Sequence, residues 1–139
     1  MTHQYYLTYY LTMSKARLED CEKINLENPS KWTLQGFSKA GDKTGFLLHP
    51  LKILLDAGMP TNQIPNAVLL SHSHCDHTLS LPLILTGRHK PMKGQEGLPG
   101  RPVYLPNACV VPLQRLMEAV IMLSENDDET IAVLMIGEI

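Results

Sequence analysis

Apolar residues fall along the chain in short runs with two different periods, and this alternation predicts the fold class. Over residues 15–27 a charged stretch carries Leu18, Cys21 and Ile24 at three-residue spacing, which predicts one face of a short helix closed by Asn28-Pro29-Ser30. From Trp32 the texture changes to strands. Residues 32–38, 45–48 and 52–55 read as three extended segments joined by the turn Ala40-Gly41-Asp42-Lys43 and by His49-Pro50, a small antiparallel meander. Residues 67–70, all apolar and short, predict a fully buried strand. Leu79, Leu81, Leu83 and Ile84 then suggest a helix from Asp76 to about Thr86, with Pro82 tolerable in its first turn or at a kink and Gly87 as its stop.

Residues 88–101 hold three glycines and two prolines and read as a loop. Beyond them, 102–105 predicts a strand, 111–123 a helix with Leu113, Leu116, Val120 and Leu123 on one face, and 131–136 a last strand. Strands alternating with helices after a meander imply an α/β sheet with at least one helical layer. The chain divides into residues 1–30 as an N-terminal extension and 31–139 as one domain.

Composition narrows the class. The chain has 139 residues, 44% hydrophobic and 19% charged, the proportions of an ordinary globular domain. No apolar run approaches the roughly 20 residues of a bilayer span, and residues 1–14 lack a basic leader followed by an apolar block, so no membrane role and an intracellular protein are expected. A net charge of −2 provides no global attraction to a phosphate backbone, so nucleic-acid binding needs a metal or a local basic patch. Cys21, Cys75 and Cys109 are odd in number and form no Cys-x-x-Cys pair, which favours reduced thiols over a disulfide framework or zinc knuckle.

The chemistry concentrates in His72-Ser73-His74-Cys75-Asp76-His77. At the end of a strand, residues two apart point the same way, so His72 and His74 can present two imidazoles to one metal ion. If the chain turns into a helix at Cys75, the side chains of Asp76 and His77 can address a second ion beside the first. The position, beyond the carboxyl end of a predicted buried strand, is where open α/β sheets hold ligands. The bland alternative makes Asp76 a helix cap and the histidines solvated loop residues.

His72, His74, Asp76 and His77 match the His-x-His-x-Asp-His signature, and the chain here resembles the metallo-β-lactamase superfamily. Within it, "GDKTGFLLHPLKILLDAG" at 41–58, "AVLLSHSHCDHTLSLP" at 67–82 and the strand and helix from Arg101 onward are similar to the ribonuclease Z family of tRNA 3′-processing endonucleases. The resemblance covers about residues 32–139. It implies the N-terminal half of a metallo-β-lactamase-type αββα sandwich, a site for two zinc ions, and phosphodiester hydrolysis with precursor tRNA as substrate. It also implies the roles: His72 and His74 on one zinc, Asp76 and His77 concerned with the second, Asp76 assisting proton transfer, and Asp56 supporting the site from behind. A turn-forming Asp-x-Gly explains Asp56 nearly as well. Ser80 stands where the family usually has glycine. The family's further histidines and bridging aspartate lie farther along than this chain extends, no histidine following His89, so a longer native chain, a second chain or a homo-oligomer is expected to complete the ligand set. A non-catalytic remnant or interaction half-domain, and a hydrolase of a small ester or thioester on the same fold, are the alternatives.

Other residues carry weaker expectations. Arg88, His89, Lys90 and Lys93 form a basic cluster that could touch RNA phosphates or be a solvated loop. Tyr5, Tyr6, Tyr9 and Tyr10 read as core packing ahead of base stacking. Cys75 reads as a small buried packing residue, His49 as a turn residue, and Cys109 as packing against the last helix.

Overall fold

The computed structural model describes residues 17–27, 31–85, 101–123 and 135–136. The strands are β1 (Lys23–Asn25), β2 (Thr33–Lys39), β3 (Lys43–His49), β4 (Ile53–Leu55), β5 (Ala67–Leu69), β6 (Val103–Tyr104) and β7 (Met135–Ile136). They lie side by side in sequence order as one mixed sheet, antiparallel from β1 to β4 and parallel from β4 to β7. The helices are α1 (Cys75–Thr78), α2 (Leu81–Leu85) and α3 (Asn107–Met122). This is a mixed α/β fold, and none of its described helices is long and apolar enough to cross a membrane.

The core follows from strand alternation. Leu47, Leu54, Val68 and Val103 are register partners across β3, β4, β5 and β6, and all four are fully buried. Side chains one residue away point to the opposite face of the sheet. The buried row packs with Leu81 and Ile84 of α2, Cys109 and Leu113 of α3, and Leu18. On the other face Phe46, Leu55, Leu69 and Tyr104 form a second cross-strand row that is only half-buried.

The β2–β3 hairpin closes through residues 40–42, with Asp42 N–H donating to Lys39 O at 3.0 Å and Gly41 at φ +72°. A Cβ at Gly41 would meet nothing within 4 Å. Gly41→Ala is therefore a purely conformational change, and we expect it to cost about 1 kcal/mol, read as a lower urea midpoint with an unchanged slope.

The helix expected over 15–27 is replaced, within the described part, by a 3-10 turn at Leu18–Asp20 and the edge strand β1. Tertiary partners decide this. Gln35, buried on β2, donates its side-chain N–H to the carbonyls of Glu19 and Cys21 at 3.2 and 3.0 Å, and those carbonyls are then unavailable to a helical ladder. Leu18 enters the core, while Ile24, expected on the same face, is 57% exposed.

The helix expected from Asp76 to Thr86 is interrupted at Leu79-Ser80. Pro82 has no N–H to give Thr78, and its ring would clash with that carbonyl in a continuous helix. Ser80 N–H instead donates to Ala57 O at 2.9 Å, and Pro82 falls in the first turn of α2. Helix α3 starts at Asn107, four residues before the expected start, where Cys109 N–H donates to Pro106 O at 2.8 Å. Its inward face carries Cys109, Leu113 and Met117, all buried, with Leu116 packed beside them, while Leu123, expected on that face, is exposed. Pro112 lies inside the helix on its exposed side.

The parallel β4–β5 pair is joined by a loop, residues 56–66, that other segments hold in place. Leu18 N–H donates to Pro60 O at 3.0 Å, and Glu19 Oε1 accepts from Asn62 N–H, Gln63 N–H and the Thr61 hydroxyl. Asn66 N–H reaches Lys52 O at 2.8 Å. The first three residues of this loop, Asp56-Ala57-Gly58, position the candidate site. The tyrosines of the N-terminus, Gly87, the basic cluster Arg88, His89, Lys90 and Lys93, and most of the predicted last strand lie outside the described residues.

Candidate metal centre

Strand β5 ends at Leu69, and its continuation through Leu70 and Ser71 delivers His72 to the carboxyl end of the parallel sheet. His74 is the residue before α1, with extended φ and ψ, and His77 lies in the last turn of that helix. This strand-to-helix change brings the three imidazoles together. The ring of His72 lies 4.5 Å from that of His74 and 4.0 Å from that of His77, centroid to centroid. Asp76 joins them, with Oδ2 at 3.4 Å from His77 Nε2.

Asp56 stands behind this group at φ +57°, a left-handed conformation that Asp tolerates better than most residues. Its backbone N–H continues the sheet by donating to Leu69 O at 2.8 Å. Its carboxylate accepts from Ser71 N–H at 2.8 Å, from the Ser71 hydroxyl at 2.9 to 3.0 Å, and from His77 Nδ1 at 3.0 Å. Ser71 Oγ also lies 2.9 Å from His72 Nδ1. One carboxylate thus connects two of the three histidines, directly and through one hydroxyl.

Main-chain N–H groups hold α1 against the β2–β3 hairpin loop and the loop that follows β4. Ala57 N–H donates to His77 O at 2.6 Å and Gly58 N–H to Thr44 O at 2.8 Å, while Gly41 N–H donates to Asp76 Oδ2 at 3.1 Å. That last bond, ahead of the nearby His77 and His74, holds the Asp76 carboxyl below its ordinary range and keeps it ionised. Gly58 packs so closely on α1 that a Cβ there would sit 1.7 Å from Asp76 O.

The donor chemistry suits zinc, which takes imidazole nitrogens and carboxylate oxygens at about 2.0 to 2.2 Å. Two such ligands on one ion lie somewhat over 3 Å apart, and the Asp76 and His77 atoms are spaced accordingly. Among the described residues, no three His, Cys, Asp or Glu side chains form a group that could hold an ion together.

All four expected ligands, with Asp56, are therefore in one place. Arg88, Lys90 and Lys93, the expected RNA contacts, lie outside the described residues. Cys75 departs from expectation: as the first residue of α1 it is exposed, while Thr78 of the same helix turns inward. His49, expected in a turn, ends β3 with Nε2 at 3.2 Å from Gln35 Oε1. Burial lowers its pKa first, with Lys23 and Lys52 acting in the same direction. Sequence reasoning passed over Ser71, Gly58 and Gly41. Gly41 and Gly58 carried a local signal for a turn and none for the site, and Ser71 had only its place next to the first histidine. No family model matches the chain, and no curated protein matches it.

Proposed function

We propose that this chain is part of a zinc-dependent phosphodiesterase of the metallo-β-lactamase type, with precursor tRNA as its substrate and cleavage at the 3′ side as its reaction. One observation carries the reading: His72, His74, Asp76 and His77 converge at the carboxyl end of a parallel strand, backed by Asp56. Their order matches the His-x-His-x-Asp-His signature of that superfamily. The choice of tRNA rests on the further resemblance of residues 41–58 and 67–82 to ribonuclease Z. The second, half-buried row of Phe46, Leu55, Leu69 and Tyr104 supports the finer fold, because an αββα sandwich covers that face with a second sheet.

When bound, zinc supplies Lewis acidity to the phosphate and lowers the pKa of a water. The chain's own residues do the rest. His72 and His74 hold one position, and Asp76 with His77 the neighbouring one. Asp76 Oδ2 is engaged by Gly41 N–H and faces His77, which leaves Oδ1 to receive a proton from the attacking water. No covalent protein intermediate is needed. In this reading the remaining ligands come from a longer chain, a second polypeptide or another copy of this chain.

The test is cleavage of a precursor tRNA in the presence of zinc, with a chelator and His74→Ala as controls, and with the chain alone and with a candidate partner. Cleavage that chelation and the substitution both abolish is expected. Hydrolysis of a thioester or lactone with none of RNA would move the substrate to small esters. No hydrolysis of either, with or without a partner, would leave an interaction half-domain.

A further inference from the structure

We infer that Ser71 is a positioning residue that fixes the proton of His72 on Nδ1, so that His72 and His77 both present unprotonated Nε2 atoms toward the candidate metal positions. The argument is one of donors and acceptors. Ser71 Oγ lies 3.0 and 2.9 Å from the two oxygens of Asp56 and 2.9 Å from His72 Nδ1. An ionised carboxylate can only accept, and a hydroxyl has one hydrogen. That hydrogen is therefore directed to Asp56. Were it directed to His72, the oxygen would face two carboxylate oxygens at hydrogen-bond distance with no proton between them.

With its hydrogen committed, Ser71 Oγ is an acceptor toward His72, and Nδ1 must carry the proton. Neutral imidazole has one N–H, so Nε2 keeps its lone pair. His77 reaches the same state without an intermediary, since its Nδ1 lies 3.0 Å from Asp56 Oδ2. Ser71 turns one acceptor into a second acceptor one residue farther along, and Asp56 thereby sets both rings.

His77 Nε2 and Asp76 Oδ2 lie 3.4 Å apart. In the neutral tautomer just assigned, both atoms are acceptors, and such a pair is favourable only with a cation or a proton between them. Ser71 N–H, bound to Asp56 Oδ1 at 2.8 Å, holds the serine in register whatever its side chain, so substitution there removes the hydroxyl with the main chain still anchored.

The proton placement is independent of the reaction; only its use for zinc rests on the proposed function. The experiment is nitrogen-15 NMR of the imidazoles in metal-free protein at about pH 8, above the ordinary histidine range, followed by zinc titration. Wild type is expected to show His72 and His77 both protonated on Nδ1. Ser71→Ala should release His72 toward the Nε2-protonated form, leave His77 unchanged, and weaken zinc binding about 10- to 100-fold. Ser71→Thr, which keeps the hydroxyl, should restore both. Nε2–H at His72 in wild type, or an unchanged His72 in Ser71→Ala, would overturn the inference. The wild-type spectrum decides proton placement even if Ser71→Ala does not fold, and Ser71→Cys, with a poor acceptor at the same position, then takes its place. Absence of RNA cleavage with these spectra as expected would remove the nuclease reading alone. Cleavage with a different tautomer would remove the role of Ser71 alone.

Discussion

Gly58→Ala is expected to destabilise the protein by about 4 kcal/mol, in the range reserved for substitutions that violate close packing of backbone on backbone. A Cβ at this position would lie 1.7 Å from Asp76 O, 2.5 Å from Asp76 C and 2.8 Å from Thr44 O. To reach even 3.0 Å from the Asp76 oxygen, the gap must open by 1.3 Å. No flexible side chain is available to yield, because all three atoms belong to main chain. The glycine is also tied to one of these atoms, by its N–H to Thr44 O at 2.8 Å. Neighbouring bonds from Ala57 N–H to His77 O and from Ser80 N–H to Ala57 O would have to stretch together. The damage therefore falls on α1, which carries Asp76 and His77. Urea denaturation should show a large drop in midpoint, and zinc binding by the fraction that remains folded should weaken. A loss close to the 1 kcal/mol expected of Gly41→Ala would show that α1 can move away freely.

Asp56→Ala should have the next largest effect, roughly 3 to 4 kcal/mol of stability and about 10- to 100-fold in zinc affinity. The carboxylate is mostly buried, its side chain 13% exposed, and accepts from one main-chain N–H, one hydroxyl and one imidazole. Truncation leaves the Ser71 N–H without its acceptor and His77 without its orienting partner. The alanine must also adopt φ +57°, which adds roughly 1 kcal/mol. Asp56→Asn separates these contributions. Asparagine tolerates the left-handed conformation and accepts through one oxygen, so it should recover the conformational part while still failing to serve all the donors. Calorimetric zinc titration beside urea unfolding of the two variants measures this. A loss in Asp56→Ala of only the roughly 1 kcal/mol that φ +57° costs, with zinc affinity unchanged, would make the residue a simple turn former.

How much of this was legible along the chain differs from element to element. The meander was visible because β2, β3 and β4 are short strand-like runs separated by Gly41 and Pro50, which are local turn signals. The His72–His77 cluster was visible because all its donors lie within six residues, and the turn from strand to helix needs only local geometry. By contrast, residues 18–25 carry a helical spacing that Gln35 overrides from a distant strand. The interruption of the helix at Ser80 depends on Ala57 O, and Pro82 alone left the position of the break open.

By itself, the sequence determined the α/β class, the strands that form the core and the identity of the candidate ligands, since each depends on periodicity or on neighbours in the chain. Only the tertiary structure decided why position 58 is glycine, what Asp56 does with its carboxylate, and that Ser71 belongs to the site. Those are contacts across 18, 15 and 21 residues of chain, to Asp76, to Ser71 and from Asp56 to His77. Contacts between segments so far apart leave no periodic trace, because they depend on where folding brings each segment rather than on what lies beside it.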